Sequence, residues 1–279
     1  MSSFADISDR SHRPGVTILF ILLGFLTVCR SEEPIPNDAP RPFITVPRTE
    51  LRPAITAQLN DPAWTHAAKL PELTPSLGAR AIPSPLPETT FMLLWDPDYL
   101  YVRFICKDRN IYAPIHGHDG PLYRGDAVEV FLDPDGDAKR WVELEFSPDN
   151  DVREGLFLCP SPTKIDSSLC LTKSAIAHDL KQILSWDLPG LRSRAVRFSA
   201  PGEENWIVDA AIPAKGIFRK TAQNRFRPMI LKGELMRYKW MTVGPGRPRE
   251  LLPLNWSPVS FGNPHHSPAA YGRIILNGS

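Results

Sequence analysis

The chain has 279 residues, 32 Lys+Arg, 31 Asp+Glu and a formal charge of +1. It is long enough to bury a core without disulfides or metals and has room for one large domain or two small ones; its balanced charge excludes nucleic acid as the expected partner. The 30 prolines, about 11% against a usual ~5%, exclude a mostly helical protein and suit a loop-rich β fold.

Arg10 and Arg13 precede the apolar run Val16–Val28. That run is shorter than the ~20 residues of a spanning helix, and it fits the apolar stretch of a secretory signal. Cys29 and Ser31 suit the small positions before cleavage, so residues 1–31 are expected to be a signal peptide. Leu26-Thr27-Val28-Cys29 also resembles a lipobox, and a lipid on Cys29 is then the one expected link to a membrane. An uncleaved anchor is the third option. The expected location is secreted or periplasmic, with lipid anchorage at the cell surface as the Cys29 variant. Without residues 1–31 the chain has 29 basic and 29 acidic residues, a neutral balance that suits an uncharged ligand.

Residues 32–53 contain six prolines and read as a proline-rich tether; residues 54–279 read as one domain. Leu59-Asn60-Asp61-Pro62-Ala63-Trp64 predicts a turn and a short helical stretch to about Lys69, and residues 71–87 an irregular loop. Strands are expected at Thr90–Trp95, Leu100–Cys106, Ala127–Leu132, Trp141–Phe146, Ala195–Ser199, Trp206–Ile212, Leu235–Val243 and Tyr271–Leu276. The first two flank the turn Asp96-Pro97-Asp98 and form a hairpin. In Trp141–Phe146 the two-residue period is read as Trp141, Leu144 and Phe146 against Val142, Glu143 and Glu145, with Val142 breaking the polar face. Ile176–Leu184 and Ala214–Phe218 are the best short helices. The fold class is therefore all-β: an antiparallel β-sandwich, jelly-roll or immunoglobulin-like, with short helices in loops.

Cys106 lies in an apolar strand and reads as a buried thiol. In an oxidising compartment Cys159 and Cys170 are a candidate disulfide, and the pairing stays open.

Several strings resemble one family in the same order. Asn60-Asp61-Pro62-Ala63-Trp64 is similar to its opening segment, and Leu93–Val102 to its first hairpin. Asp126-Ala127-Val128-Glu129-Val130-Phe131-Leu132-Asp133 is similar to its most characteristic string, and Trp206–Pro213 and His266–Gly272 to its later strand and closing turn. The family is the family 9 carbohydrate-binding module, within the DOMON-like β-sandwiches. The resemblance implies a secreted, non-catalytic module that binds an oligo- or polysaccharide. It implies service in polysaccharide breakdown, alongside a separate glycoside hydrolase, and no required cofactor, with structural calcium as the ion such modules often hold.

The same resemblance implies the site. Two family tryptophans clamp the terminal sugar; their places here hold Tyr123 and His265, with His266 next to it. Glu129 matches a glutamate that bonds sugar hydroxyls. Glu143 stands where the family has an arginine, an anion for a cation. Asp126 and Arg124 complete the candidate set, with a turn cap and plain surface charge as their alternatives. By alternation Glu129 faces away from the core, into a groove or into solvent. Glu143 and Glu145 share a strand face, so they are either solvated or bridged by a cation.

No nucleophile elbow, phosphate loop or His-Glu-x-x-His string is present, and an enzyme is not expected. Asp133, Asp135 and Asp137 resemble a calcium loop, but the glycine spacing is not that of an EF-hand, and a hairpin turn is the alternative. His116 and His118, with His265 and His266, form a second candidate site, for a transition metal or haem. The rival function is a cell-surface structural or interaction sandwich without a sugar site.

Overall fold

The computed structural model describes residues 41–76, 79, 82–159, 180–218, 223–259 and 268–278. The chain divides into two units, Met1–Ser31 and Glu32–Ser279, and every described residue lies in the second. The described residues form β1 (Phe43–Val46), β2 (Ala68–Lys69), β3 (Thr74–Pro75), β4 (Thr89–Trp95), β5 (Tyr99–Cys106), β6 (Ala127–Asp133) and β7 (Arg140–Phe146). They continue with β8 (Val152–Leu158), β9 (Lys181–Ile183), β10 (Arg192–Ala200), β11 (Glu203–Pro213), β12 (Met229–Thr242), β13 (Arg249–Asn255) and β14 (Gly272–Leu276).

These strands make a sandwich, as the sequence predicts. The larger sheet runs β1-β14-β12-β6-β7-β8-β9, with β13 added to β12 and β3 to β13; the smaller runs β10-β11-β5-β4-β2. All pairs but β1–β14 are antiparallel among these ladders. Between the sheets Phe91, Val102, Phe104, Val128, Leu144, Trp206 and Leu235 form the main core. Each such side chain contributes about 1.5–3 kcal/mol on burial.

All eight predicted strands are present. β1 lies inside the stretch read as a tether: Ile44 and Val46 are buried, and the strand pairs with β14. Short apolar runs between prolines are enough for an edge strand, where a missing N–H costs no ladder bond. Lys181–Ile183, inside the expected helix Ile176–Leu184, is extended and pairs with Leu156–Leu158; residues 176–179 lie outside the described residues. After Pro62 the helical stretch is a 3-10 turn ending at His66, and Ala68–Lys69 are already strand. The predicted helix at Ala214 is one turn, Ala214–Ile217, interrupted at Gly216 with φ +102°.

Strand β7 corrects the face assignment. Val142 points into the main core with Leu144 and Phe146. Trp141 belongs to a second cluster on the other side of the sheet, with Phe131, Phe157, Met236, Tyr238 and Tyr271. A strict period of two puts Glu143 and Glu145 on that outer side with Trp141. Around β6 and β7 the larger sheet is therefore buried on both faces, and Glu129, Glu143 and Glu145 are not solvent-facing.

Candidate functional site

Three neighbouring strands build the site on that outer face. In register, Glu129 of β6 stands opposite Glu145 of β7, and Glu145 opposite Arg153 of β8. The next row is Phe131, Glu143 and Gly155. Ligand oxygens of Glu129, Glu143 and Glu145 lie within 4.8 Å of one another. The three residues are 1%, 2% and 0% exposed.

Arg153 is the cation that faces them. Its Nη1 donates to Glu145 Oε1 and lies 3.9 Å from Glu143 Oε2. Gly155 makes the space: a Cβ there would sit 3.2 Å from Glu143 Oε2 and 3.1 Å from the Phe157 ring. The turn Leu122–Arg124 closes the end of the row. The Tyr123 N–H donates to Glu145 Oε2 at 3.0 Å, and the Trp240 indole N–H donates to the Tyr123 carbonyl at 3.0 Å. The Tyr123 ring is 37% exposed, with the guanidinium carbons of Arg153 and Arg124 at 5.4 and 5.9 Å from its centre.

Burial and like charge act together here. Burial, then the Glu143 charge, push the Glu145 carboxyl up to about 8, although Arg153 opposes them. Burial, with Glu145 and Glu143 beside it, holds Glu129 well above the usual carboxylate range. Burial and the same three carboxylates raise the Tyr238 hydroxyl. The site can therefore offer both protonated and ionised carboxyls, a guanidinium and an aromatic face, which together supply donors, acceptors and a stacking surface.

Residues 55–145 match the model of the family described as carbohydrate family 9 binding domain-like. The match covers about a third of the chain. The matched stretch carries Tyr123, Glu129, Glu143 and Glu145, and stops short of Arg153. Solved structures share the fold. A candidate carbohydrate-binding protein from Bacteroides uniformis is 15% identical, with TM-score 0.59 over 85% of this chain and all of that one. A family 9 module from Caldicellulosiruptor kristjanssonii, in complex with glucose, is 16% identical, with TM-score 0.52 over 84% of this chain and 96% of that one. Its complex with cellotriose gives 18% identity and TM-score 0.50, over 85% and 94%. No curated protein matches the sequence.

Within this sandwich the predicted site residues separate. Glu129, Glu143 and Tyr123 come together, and Arg124 lies beside Tyr123 on the surface. Glu129 does face away from the main core, but into a buried layer rather than solvent; Glu143 and Glu145 are likewise buried. Asp126 turns to the opposite side. Its Oδ1 accepts the Trp240 N–H at 2.7 Å, and its Oδ2 accepts the Tyr112 N–H at 2.9 Å and Lys239 Nζ at 2.7 Å. Lys239 also pairs with Asp108, which Arg237 holds at 2.7 Å. Asp126 is thus a buried tie between β12 and the segment that leads from β5 to β6. His265 and His266 lie outside the described residues, as do Cys29 and Cys170; Cys159 is buried in the outer cluster.

Of the expected metal residues, His116, His118, Asp133, Asp135 and Asp137 lie among the described residues. His116 faces Asp151 at 3.5 Å, while His118 lies 3.1 Å from Asp119 and 3.4 Å from Glu154. His118, Asp119 and Asp187 form an exposed group that His116 does not join. Asp133, Asp135 and Asp137 do not bring three oxygens together among the described residues. Asp133 instead accepts the N–H groups of Gly136 and Ala138, both at 2.8 Å, closing the hairpin turn.

Arg153 is the residue that sequence reasoning missed. It supplies a cation one row from the Glu143 position, which lacks one. Its signal was available: the turn Ser147–Asp151 joins β7 to β8, and counting outward from it sets Arg153 opposite Glu145.

Proposed function

We propose that the chain is a non-catalytic carbohydrate-binding protein, with its sugar site on the outer face of the larger sheet. The carrying observation is the exposed Tyr123 ring standing over the Glu145–Arg153 pair, with Glu129 and Glu143 adjoining. A pyranose presents an apolar C–H face to an aromatic ring and hydroxyls to charged acceptors and donors, and these residues supply both. The family match over residues 55–145 and the glucose and cellotriose bound by the Caldicellulosiruptor modules support a β-glucan type of ligand. A terminal or short glucan stacks on Tyr123, with Arg124 and Arg153 reaching its hydroxyls while the buried Glu145 carboxylate holds Arg153 and the Tyr123 backbone in place.

Export belongs to the same reading. Arg10, Arg13 and the run Val16–Val28 support it, with cleavage after Ser31 or lipid on Cys29. A secreted or periplasmic sugar binder serves polysaccharide breakdown beside a separate glycoside hydrolase. A glycan array with the mature chain tests the sugar reading: retention of β-glucans supports it, and retention of no glycan defeats it.

A further inference from the structure

Three buried carboxylates on adjacent positions of two strands are an unusual choice. Like charges opposite one another destabilise a sheet, and burial deepens the repulsion. Among the described residues the positive charge facing them comes from Arg153, which is committed to Glu145. Glu129 makes the arrangement more pointed. It is 1% exposed, its Oε2 lacks a hydrogen-bond partner among the described residues, and one of its carboxylate oxygens belongs to the converging group. Leaving a buried charged acceptor unsatisfied is costly, and native structures rarely do so without a ligand or ion to satisfy it.

We propose that Glu129, Glu143 and Glu145 bind one hard divalent cation, of the calcium or manganese class, through one oxygen each. The donor set is oxygen only, which favours these ions over zinc or copper. Oxygens on opposite sides of a calcium ion stand at most about 5 Å apart, given Ca–O distances of ~2.3–2.6 Å. The observed 4.8 Å limit on all mutual separations therefore fits one ion. The charges agree: three carboxylates against Arg153 leave two negative charges, which one divalent ion neutralises. The site differs from the Asp133–Asp137 turn and the His116–His118 loop, and it adds Glu129 to the Glu143–Glu145 pair for which the sequence leaves a bridging cation open. It needs no sugar, and the proposal is independent of the carbohydrate reading.

The test is titration of EDTA-treated, dialysed full-length chain with manganese chloride, without sugar, followed by the electron paramagnetic resonance signal of free Mn²⁺. One ion per chain should bind and be displaced by calcium. Glu129→Gln should weaken binding at least tenfold, and Glu143→Gln gives the same reading should the first variant fold poorly. Asp135→Asn and His118→Ala should leave it unchanged. Absence of Mn²⁺ uptake at millimolar concentration overturns the proposal. So does uptake indifferent to Glu129→Gln and Glu143→Gln, or lost in Asp135→Asn or His118→Ala.

Discussion

Glu129 and Glu145 face each other across β6 and β7, both fully removed from solvent, and the guanidinium of Arg153 lies on the far side of Glu145. This row is the centre of the outer face. It couples the stability of the sheet to the charge state of the site.

The first consequence concerns Arg153. Its side chain is 12% exposed, so Arg153→Met leaves the carboxylates without their cation in a nearly dry setting. Breaking a buried pair in this way costs about 3 kcal/mol. Urea unfolding at neutral pH should show that loss, and Glu145→Gln added to Arg153→Met should recover part of it. An unchanged midpoint would mean that Arg153 does not hold the row.

Stability should also fall as pH rises through the neutral range. Glu145 is pushed up to about 8 in the fold, chiefly by burial and then by Glu143; an unfolded glutamate titrates near ~4.3. Between those values the folded state holds the extra proton. Stability therefore decreases with pH across that window and levels off above it. Glu129 is shifted the same way, and Glu143, Arg153 and Tyr238 are the charged or titratable neighbours facing the pair. Thermal melts from pH 5 to 8 in EDTA should show a falling melting temperature, with a shallower slope in Glu145→Gln.

Gly155 should resist enlargement. A Cβ there meets Phe157 at 3.1 Å and Glu143 Oε2 at 3.2 Å, and Phe157 is itself stacked on Trp141 at 5.7 Å. Gly155→Val should cost about 1–3 kcal/mol through overpacking and displace the Glu143 carboxylate. Chemical denaturation measures the first effect; loss of Mn²⁺ uptake in the folded variant measures the second.

Asp126 should behave as a structural residue. Its carboxylate holds Lys239 and the Tyr112 and Trp240 amides. Asp126→Ala leaves Lys239 and those donors under-satisfied in the interior, at a cost of about 3 kcal/mol. Tyr123→Ala should do the reverse: little change in melting temperature, because the residue is exposed, and a clear loss of sugar affinity. Comparing melts of the two variants separates the roles.

The sandwich was legible because strands such as Thr90–Trp95 and Ala127–Leu132 carry strong apolar periodicity between turn signals. β8 and β13 were not, since Gly155 with Arg153 and Glu154 dilutes one pattern and Pro253 interrupts the other. The site was half legible for a related reason. Alternation placed Glu129 and Glu143 away from the main core, but it says nothing about a second buried layer, which Trp141, Phe157 and Tyr238 build from distant strands. Asp126 shows the opposite failure. Its place next to Glu129 suggested a shared role, yet at the strand entrance its carboxylate turns toward Lys239.

Calorimetric titration of the full-length chain with cello- and xylo-oligosaccharides tests the carbohydrate reading most directly. The account predicts saturable heat at or below millimolar ligand, weakened at least tenfold by Tyr123→Ala. No binding to any of these sugars at millimolar concentration, or binding that Tyr123→Ala leaves intact, would contradict it.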